Sequence, residues 1–182
     1  MEIEGKSENA HLNRLVATTV LIISVFLAIE KVKDDNIVDD MTFTKSDALD
    51  VWNQYQAERI KMHGDENTIA LLGAVGNQKA AEAAQKHLDQ QIVKYTSESA
   101  QLSVKAHGKD TRYETLDFQH AQFVLSDALL SIALALTAVS ALSGVYWLMV
   151  SGWVFGGLGG VMGLAGFLGW SIHFEFLNRL LG

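Results

Sequence analysis

Between Ala128 and His173 no Asp, Glu, Lys or Arg interrupts the chain. A membrane-crossing helix needs about 20 apolar residues, so an uncharged run of roughly 45 is too long for one crossing and right for two. Ser143–Gly144 supplies the turn between spans at 123–142 and 145–170. A third uncharged run, Leu15–Ile29, lies near the N-terminus. It is short for a hydrocarbon layer of about 30 Å, but Arg14 can reach the headgroups and extend the span to residues 11–30. The segment between the first and second spans carries most of the charge. These features predict an all-α integral membrane protein. Three transmembrane helices are expected, with a long polar helical hairpin at 31–122, coiled-coil-like, between the first and second. Residues 1–10 form a polar tail and 171–182 an amphipathic tail suited to lying on the membrane, where Glu175 and Arg179 pair at i, i+4.

The chain has no cysteine, which excludes disulfides, thiolate metal sites and cysteine nucleophiles. It has no proline, where average usage of about 5% predicts roughly nine; long uninterrupted helices are therefore favoured. A net charge of −7 argues against nucleic-acid binding through a basic face. The N-terminal stretch is acidic, and the apolar run continues into EKVKDD rather than a small-residue cleavage site. We read a retained membrane helix, not a cleaved signal.

In the polar insert, Val38, Met41, Ala48, Trp52, Tyr55 and Met62 recur at helical spacing, with Trp52 and Tyr55 the strongest packing anchors. HGDEN at His63–Asn67 and the pair Gly73 and Gly76 read as breaks, and Gly108 as a loosening point. From Gln78 onward, Leu88, Ile92, Tyr95 and Leu102 approximate a heptad seam, thinned by Gln85, Ser99 and Lys109. Seams this weak call for stabilisation by neighbours or by further copies of the hairpin.

Ser151–Trp170 holds eight of the chain's 15 glycines. Gly152, Gly156 and Gly160 recur every four residues, and Gly156, Gly159, Gly163 and Gly166 extend the row in steps of three and four. In lipid, helices associate through close backbone approach, which glycine permits. This is read as a helix-packing interface, whose partner is either the neighbouring span or another copy.

Candidate polar residues are few. Asp127 is a carboxylate near the entry of the second span, within about one turn of the expected interface. Asp35 and Asp39 share a helix face in the cluster Asp34–Asp40, which is either a cation or headgroup site or a solvated helix start. His173 and Glu175 flank the far end of the uncharged run and could join Asp127. Arg14, Lys31 and Lys33 are placed to meet lipid headgroups. No nucleotide-binding loop, His-Glu-x-x-His motif or catalytic triad spacing is present; Asp117-x-x-His120 is a single copy of what a di-metal bundle needs twice. No cofactor or metal is expected, and no enzymatic activity.

HLNRLVA (His11–Ala17), KVKDDNIV (Lys31–Val38), W-x-x-YQA (Trp52–Ala57), LSDALL (Leu125–Leu130) and VMGLAGFLGWSIH (Val161–His173) together resemble a bacterial family of small membrane proteins defined by a domain of unknown function. The resemblance covers nearly the whole chain in the same order. It implies one membrane helix, a polar helical insert and two closing membrane helices, and it implies no activity. The family tends to have a longer, basic turn between the last two spans, where this chain has only the uncharged Ser143–Gly144.

The function expected from these features is a homo-oligomeric scaffold of the bacterial inner membrane with a soluble helical stalk. The alternatives are an oligomeric pore or ion pathway, and an accessory subunit of a larger membrane complex. Lys31, Lys33, Lys45, Lys105, Lys109, Arg112 and Arg179 lie on one side of the spans against Lys6 and Arg14 on the other, which places the hairpin in the cytoplasm.

Overall fold

The computed structural model describes the backbone of Glu2–Val75 and of 78–170, and the side chains of 10–74 and 82–170. It consists of three α-helices: α1, Glu2–Val75; α2, Gln78–Ser143; and α3, Tyr146–Leu168. No strand occurs among the described residues. All three helices contain segments long and apolar enough to cross a membrane.

The break expected at His63–Asn67 does not occur, and α2 runs on through Gly108, read as a loosening point; the break marked by Gly73 and Gly76 falls where α1 ends at Val75 and α2 begins at Gln78. An interior glycine costs a helix only about 1 kcal/mol, and no proline is present to end it. Local ties also span the site. Thr68 Oγ1 donates to the Gly64 carbonyl at 2.8 Å, and His63 Nδ1 lies 2.8 Å from Glu66 Oε2.

The chain divides into two compact units, Met1–Asp40 with Thr115–Gly182, and Met41–Glu114. In the first, parts of α1 and α2 pack with α3 around Ile23, Leu130 and Ala133, with Phe26, Leu27 and Phe155 against them. Phe167 of α3 meets Phe26 at 6.4 Å and Phe123 at 5.2 Å between ring centres, tying α3 to both partners. The outward faces are apolar: Leu21, Ile22, Val25, Ile132, Val154 and Leu158 are all exposed. An exposed apolar surface of this kind suits a hydrocarbon solvent, not water.

The α2–α3 turn is built by Ser140 and Gly144. Gly144 takes φ 70°, the left-handed region that glycine enters without strain. Its N–H bonds the Ser140 carbonyl at 2.9 Å, and Ser140 Oγ donates to the Val145 carbonyl at 2.9 Å. At the far end Gly169, at φ 63°, caps α3, and Trp170 N–H returns to the Ala165 carbonyl at 3.0 Å. Gln122 Nε2 donates to the Trp170 carbonyl at 2.6 Å and fixes that exit to α2.

The second unit is an antiparallel pair formed by α1 and α2. Its seam is made of small or modest residues: Ala48 and Ala106 are fully buried, beside Thr44, Val51, Met62 and Ser99. Trp52 flanks the seam. Its Nε1 donates to Asp110 Oδ2 at 3.1 Å, and its ring meets Tyr55 and His107 edge-on at 5.5 and 5.2 Å. Lys109 Nζ pairs with Asp47 at 2.7 Å. Leu88, Ile92, Tyr95 and Leu102 are half-buried, with Tyr95 under the Lys61 ammonium.

Candidate functional site

The inward positions of α1 recur at Ile23, Phe26, Glu30, Asp34, Ile37, Met41, Thr44, Ala48 and Val51, in steps of three and four. Within each compact unit that register puts one face of α1 toward its packing neighbours. It also places two carboxylates, Glu30 and Asp34, where apolar residues would ordinarily sit.

Glu30 is the first charged residue after Leu15–Ile29, yet only 3% of its surface is exposed. Ser126 Oγ of α2 donates to its Oε1 at 2.8 Å. The same hydroxyl lies 2.8 Å from the Gly159 carbonyl of α3, and its single hydrogen serves one acceptor at a time. The space for the carboxyl comes from Gly163. A Cβ there would overlap Glu30 Oε1 and come within 2.7 Å of its carboxyl carbon and 2.9 Å of Ser126 Oγ. The second carboxylate oxygen, Oε2, is buried and has no hydrogen-bond partner among the described residues.

One helical turn further, Asp34 Oδ1 lies 2.6 Å from His120 Nδ1. A carboxylate only accepts, so that ring nitrogen carries the hydrogen. Lys31 stands at the rim, 3.0 Å from Asp35 and 3.8 Å from Asp34, and the bond to Asp35 holds its ammonium above the usual lysine range. Leu27, Glu30, Lys31, Asp34 and, from α2, His120, Phe123, Val124 and Asp127 enclose a pocket of about 190 Å³. Among the described residues no three His, Asp or Glu side chains converge to hold a metal ion. The pocket thus offers hydrogen-bond acceptors and negative charge without a metal-binding geometry.

The residues singled out from sequence fall unevenly around it. Asp127 lines the pocket; Asp35 and Asp39 are exposed and do not. Lys31 lines it, whereas Lys33 and Arg14 are exposed elsewhere on α1. His173 and Glu175 lie outside the described residues. Glu30, Ser126 and His120 form the centre without having been singled out for it; the signal was the three–four register of α1, which continues unchanged from the apolar run into the acidic one.

The glycine row finds its partners within the chain. A Cβ at Gly152 would meet Thr137 Oγ1 at 2.8 Å, at Gly156 Ile23 at 3.4 Å, at Gly159 Leu130 at 2.8 Å, and at Gly166 the Phe123 ring at 3.0 Å. Gly160, placed with them by the four-residue repeat, departs from this row, and a Cβ there would meet open space. A strict step of four drifts by about 40° each time around a helix of 3.6 residues per turn, so only alternating threes and fours keep to one face.

Residues 12–169 match the family described as Domain of unknown function (DUF4337). The chain belongs to that family. No curated protein and no solved structure matches it. In this DUF4337 chain the matched segment includes all three helices' packed faces and the whole pocket.

Proposed function

We propose that this chain is a non-catalytic scaffold of the bacterial inner membrane. Its three apolar segments act as spans, and its polar pair of helices is a coiled-coil-like stalk that assembles with further copies. One observation carries this reading. The stalk's two most deeply buried residues are alanines, Ala48 and Ala106, with Met41, Val51 and Met62 its larger buried side chains, while Phe43 (72% exposed), Leu49, Ile60, Leu71, Val93 and Val104 (74%) face outward. A two-helix pair with so thin a seam gains little from burial, and its large apolar side chains are left to a further surface.

The glycine row supports a compact three-span anchor rather than contact between copies, since its partners are Ile23, Leu130, Phe123 and Thr137 of the same chain. Gly157 and Gly160, which have open space beside them, are the small positions left for packing a second copy in lipid.

Native mass spectrometry after gentle extraction tests the reading. A multiple of 19.9 kDa is expected, falling to the single chain in Ile60→Glu with Val104→Glu. A single copy bound to a stoichiometric foreign protein would replace self-assembly with an accessory-subunit role. The pocket's carboxylates give a second reading, an ion pathway, some support; conductance of the purified protein in planar bilayers, lost in Asp127→Asn, would favour it.

A further inference from the structure

We propose that the pocket at Glu30 receives a primary ammonium group, that of an aminophospholipid headgroup of the phosphatidylethanolamine type, with the lipid phosphate against Lys31. This rests on reading the three apolar segments as membrane spans. A cluster of acids alone would say little. What points to a ligand is the carboxyl of Glu30, almost wholly buried, with Oε1 held by Ser126 and Oε2 lacking a donor among the described residues. A buried acceptor without a partner is costly, and the pocket is the route by which one can arrive.

The pocket narrows the class of donor. At about 190 Å³ it is smaller than the ~300–1,000 Å³ of drug-sized sites, so the group entering is small. Glu30, Asp34 and Asp127 face Lys31 alone among the permanently charged groups, and His120 is committed to Asp34. The group is therefore cationic. A hard metal cation would need about six or more oxygen ligands in a closed shell, whereas no three ligating side chains converge among the described residues. An ammonium has no closed ligand shell to fill: Glu30 can receive one of its hydrogens, and Asp34 and Asp127, on the same lining, add negative charge beside it.

The remaining lining fits a lipid rather than a free amine. Leu27, Phe123 and Val124 make one wall, and Val124 is exposed, so the wall opens onto the apolar outer face. Glu30 directly follows Leu15–Ile29, at headgroup depth on this reading. Lys31, exposed at the rim, supplies a cation for a phosphate beside the ammonium. A quaternary choline headgroup carries no N–H donor and leaves Oε2 unsatisfied, so the site distinguishes the two zwitterionic lipids.

The full chain, extracted in mild detergent and delipidated, is titrated with phosphatidylethanolamine, phosphatidylcholine or phosphatidylglycerol, and bound lipid is counted by native mass spectrometry. Retention of phosphatidylethanolamine is expected to exceed that of either other lipid about tenfold, and to fall at least fivefold in Glu30→Gln and in Asp127→Asn. Should Glu30→Gln fail to fold, Asp127→Asn carries the test, because Asp127 is exposed. Equal retention of the three lipids, or retention unmoved by Asp127→Asn, overturns the proposal. Thermal stabilisation by free ethanolamine without lipid preference would assign the pocket to a soluble amine and overturn the headgroup. The oligomeric mass read from the lipid-free spectra stands apart from these outcomes, so loss of the scaffold reading and loss of this one are separately visible.

Discussion

Gly163→Ala adds one methyl group to the most crowded glycine in α3, and its cost can be worked from the contacts it would make. The new Cβ overlaps Glu30 Oε1 and lies within 2.9 Å of Ser126 Oγ. No backbone blocks it; the group that must move is the far end of a flexible side chain. The cost is then the loss of the Ser126–Glu30 hydrogen bond, about 1.5–3 kcal/mol for a charged acceptor, plus overpacking of about 1–3 kcal/mol. Improved helix propensity returns up to about 1 kcal/mol. The terms overlap, and a net destabilisation of about 2 kcal/mol follows. For a chain of this size that lowers the thermal midpoint in detergent by roughly 4–8 °C. The decisive comparison is the double-mutant cycle with Glu30→Ala. Once the carboxyl is gone, Gly163→Ala should cost nothing or stabilise, so the two changes are non-additive by about 2 kcal/mol. Gly160→Ala, with open space beside it, should change stability by less than about 0.5 kcal/mol. Gly163→Ala and Glu30→Ala adding independently, or Gly160→Ala costing as much as Gly163→Ala, would refute the packing described.

Trp52→Phe removes the Nε1 bond to Asp110 and keeps a ring beside Tyr55 and His107; it should lower stability by about 1–2 kcal/mol in chemical unfolding. Asp47 is held below the usual aspartate range by the hydrogen bond and charge of Lys109. A carboxylate with a depressed folded pKa contributes stability above its ordinary value of about 3.9 and loses it as pH falls through the lower folded value. The difference in melting temperature between the parent and Asp47→Asn should therefore be constant near neutrality and close in acid below about pH 4. Because the chain has no cysteine, a lone Lys86→Cys can report orientation: with a cytoplasmic stalk, a membrane-impermeant maleimide should label it only after right-side-out vesicles are opened.

Much of the fold was legible because lipid and water impose opposite outer faces. The uncharged run Ala128–His173, with its one glycine turn, could only be two segments, and the turn closes at Gly144 as its composition suggested. The interior punctuation was misread in part. HGDEN at His63–Asn67 looks like a break when weighed locally, but a helix propagates cooperatively past a single poor residue when both sides are well formed, whereas Gly73 and Gly76 do mark the junction where α1 ends at Val75. The site was legible only in part. Asp127 was conspicuous because it stands beside an apolar run. Glu30 was passed over because a charge that ends an apolar run normally faces water. Only the register that continues from Ile23 through Asp34 to Ala48 shows that it turns inward, and that register becomes informative when Ser126 and Gly163 are known to lie opposite.

The glycine crowding in α3 and the buried acid of α1 are one feature seen from two helices. Four positions of the glycine row accommodate ordinary groups: Thr137, Ile23, Leu130 and the Phe123 ring. Close approach of apolar helices in lipid would explain those without any polar partner. Gly163 differs, because the atom it admits is a carboxylate oxygen. Alanine would suffice there if packing were the only demand, and leucine or valine could replace Glu30 at no desolvation cost. Keeping both the acid and the glycine that shelters it costs stability in a bundle of this size. A retained cost of that kind is explained when the acid has a task, and on the proposal above that task is to receive a cationic hydrogen-bond donor at the pocket that Glu30 lines, its Oε2 having no partner among the described residues.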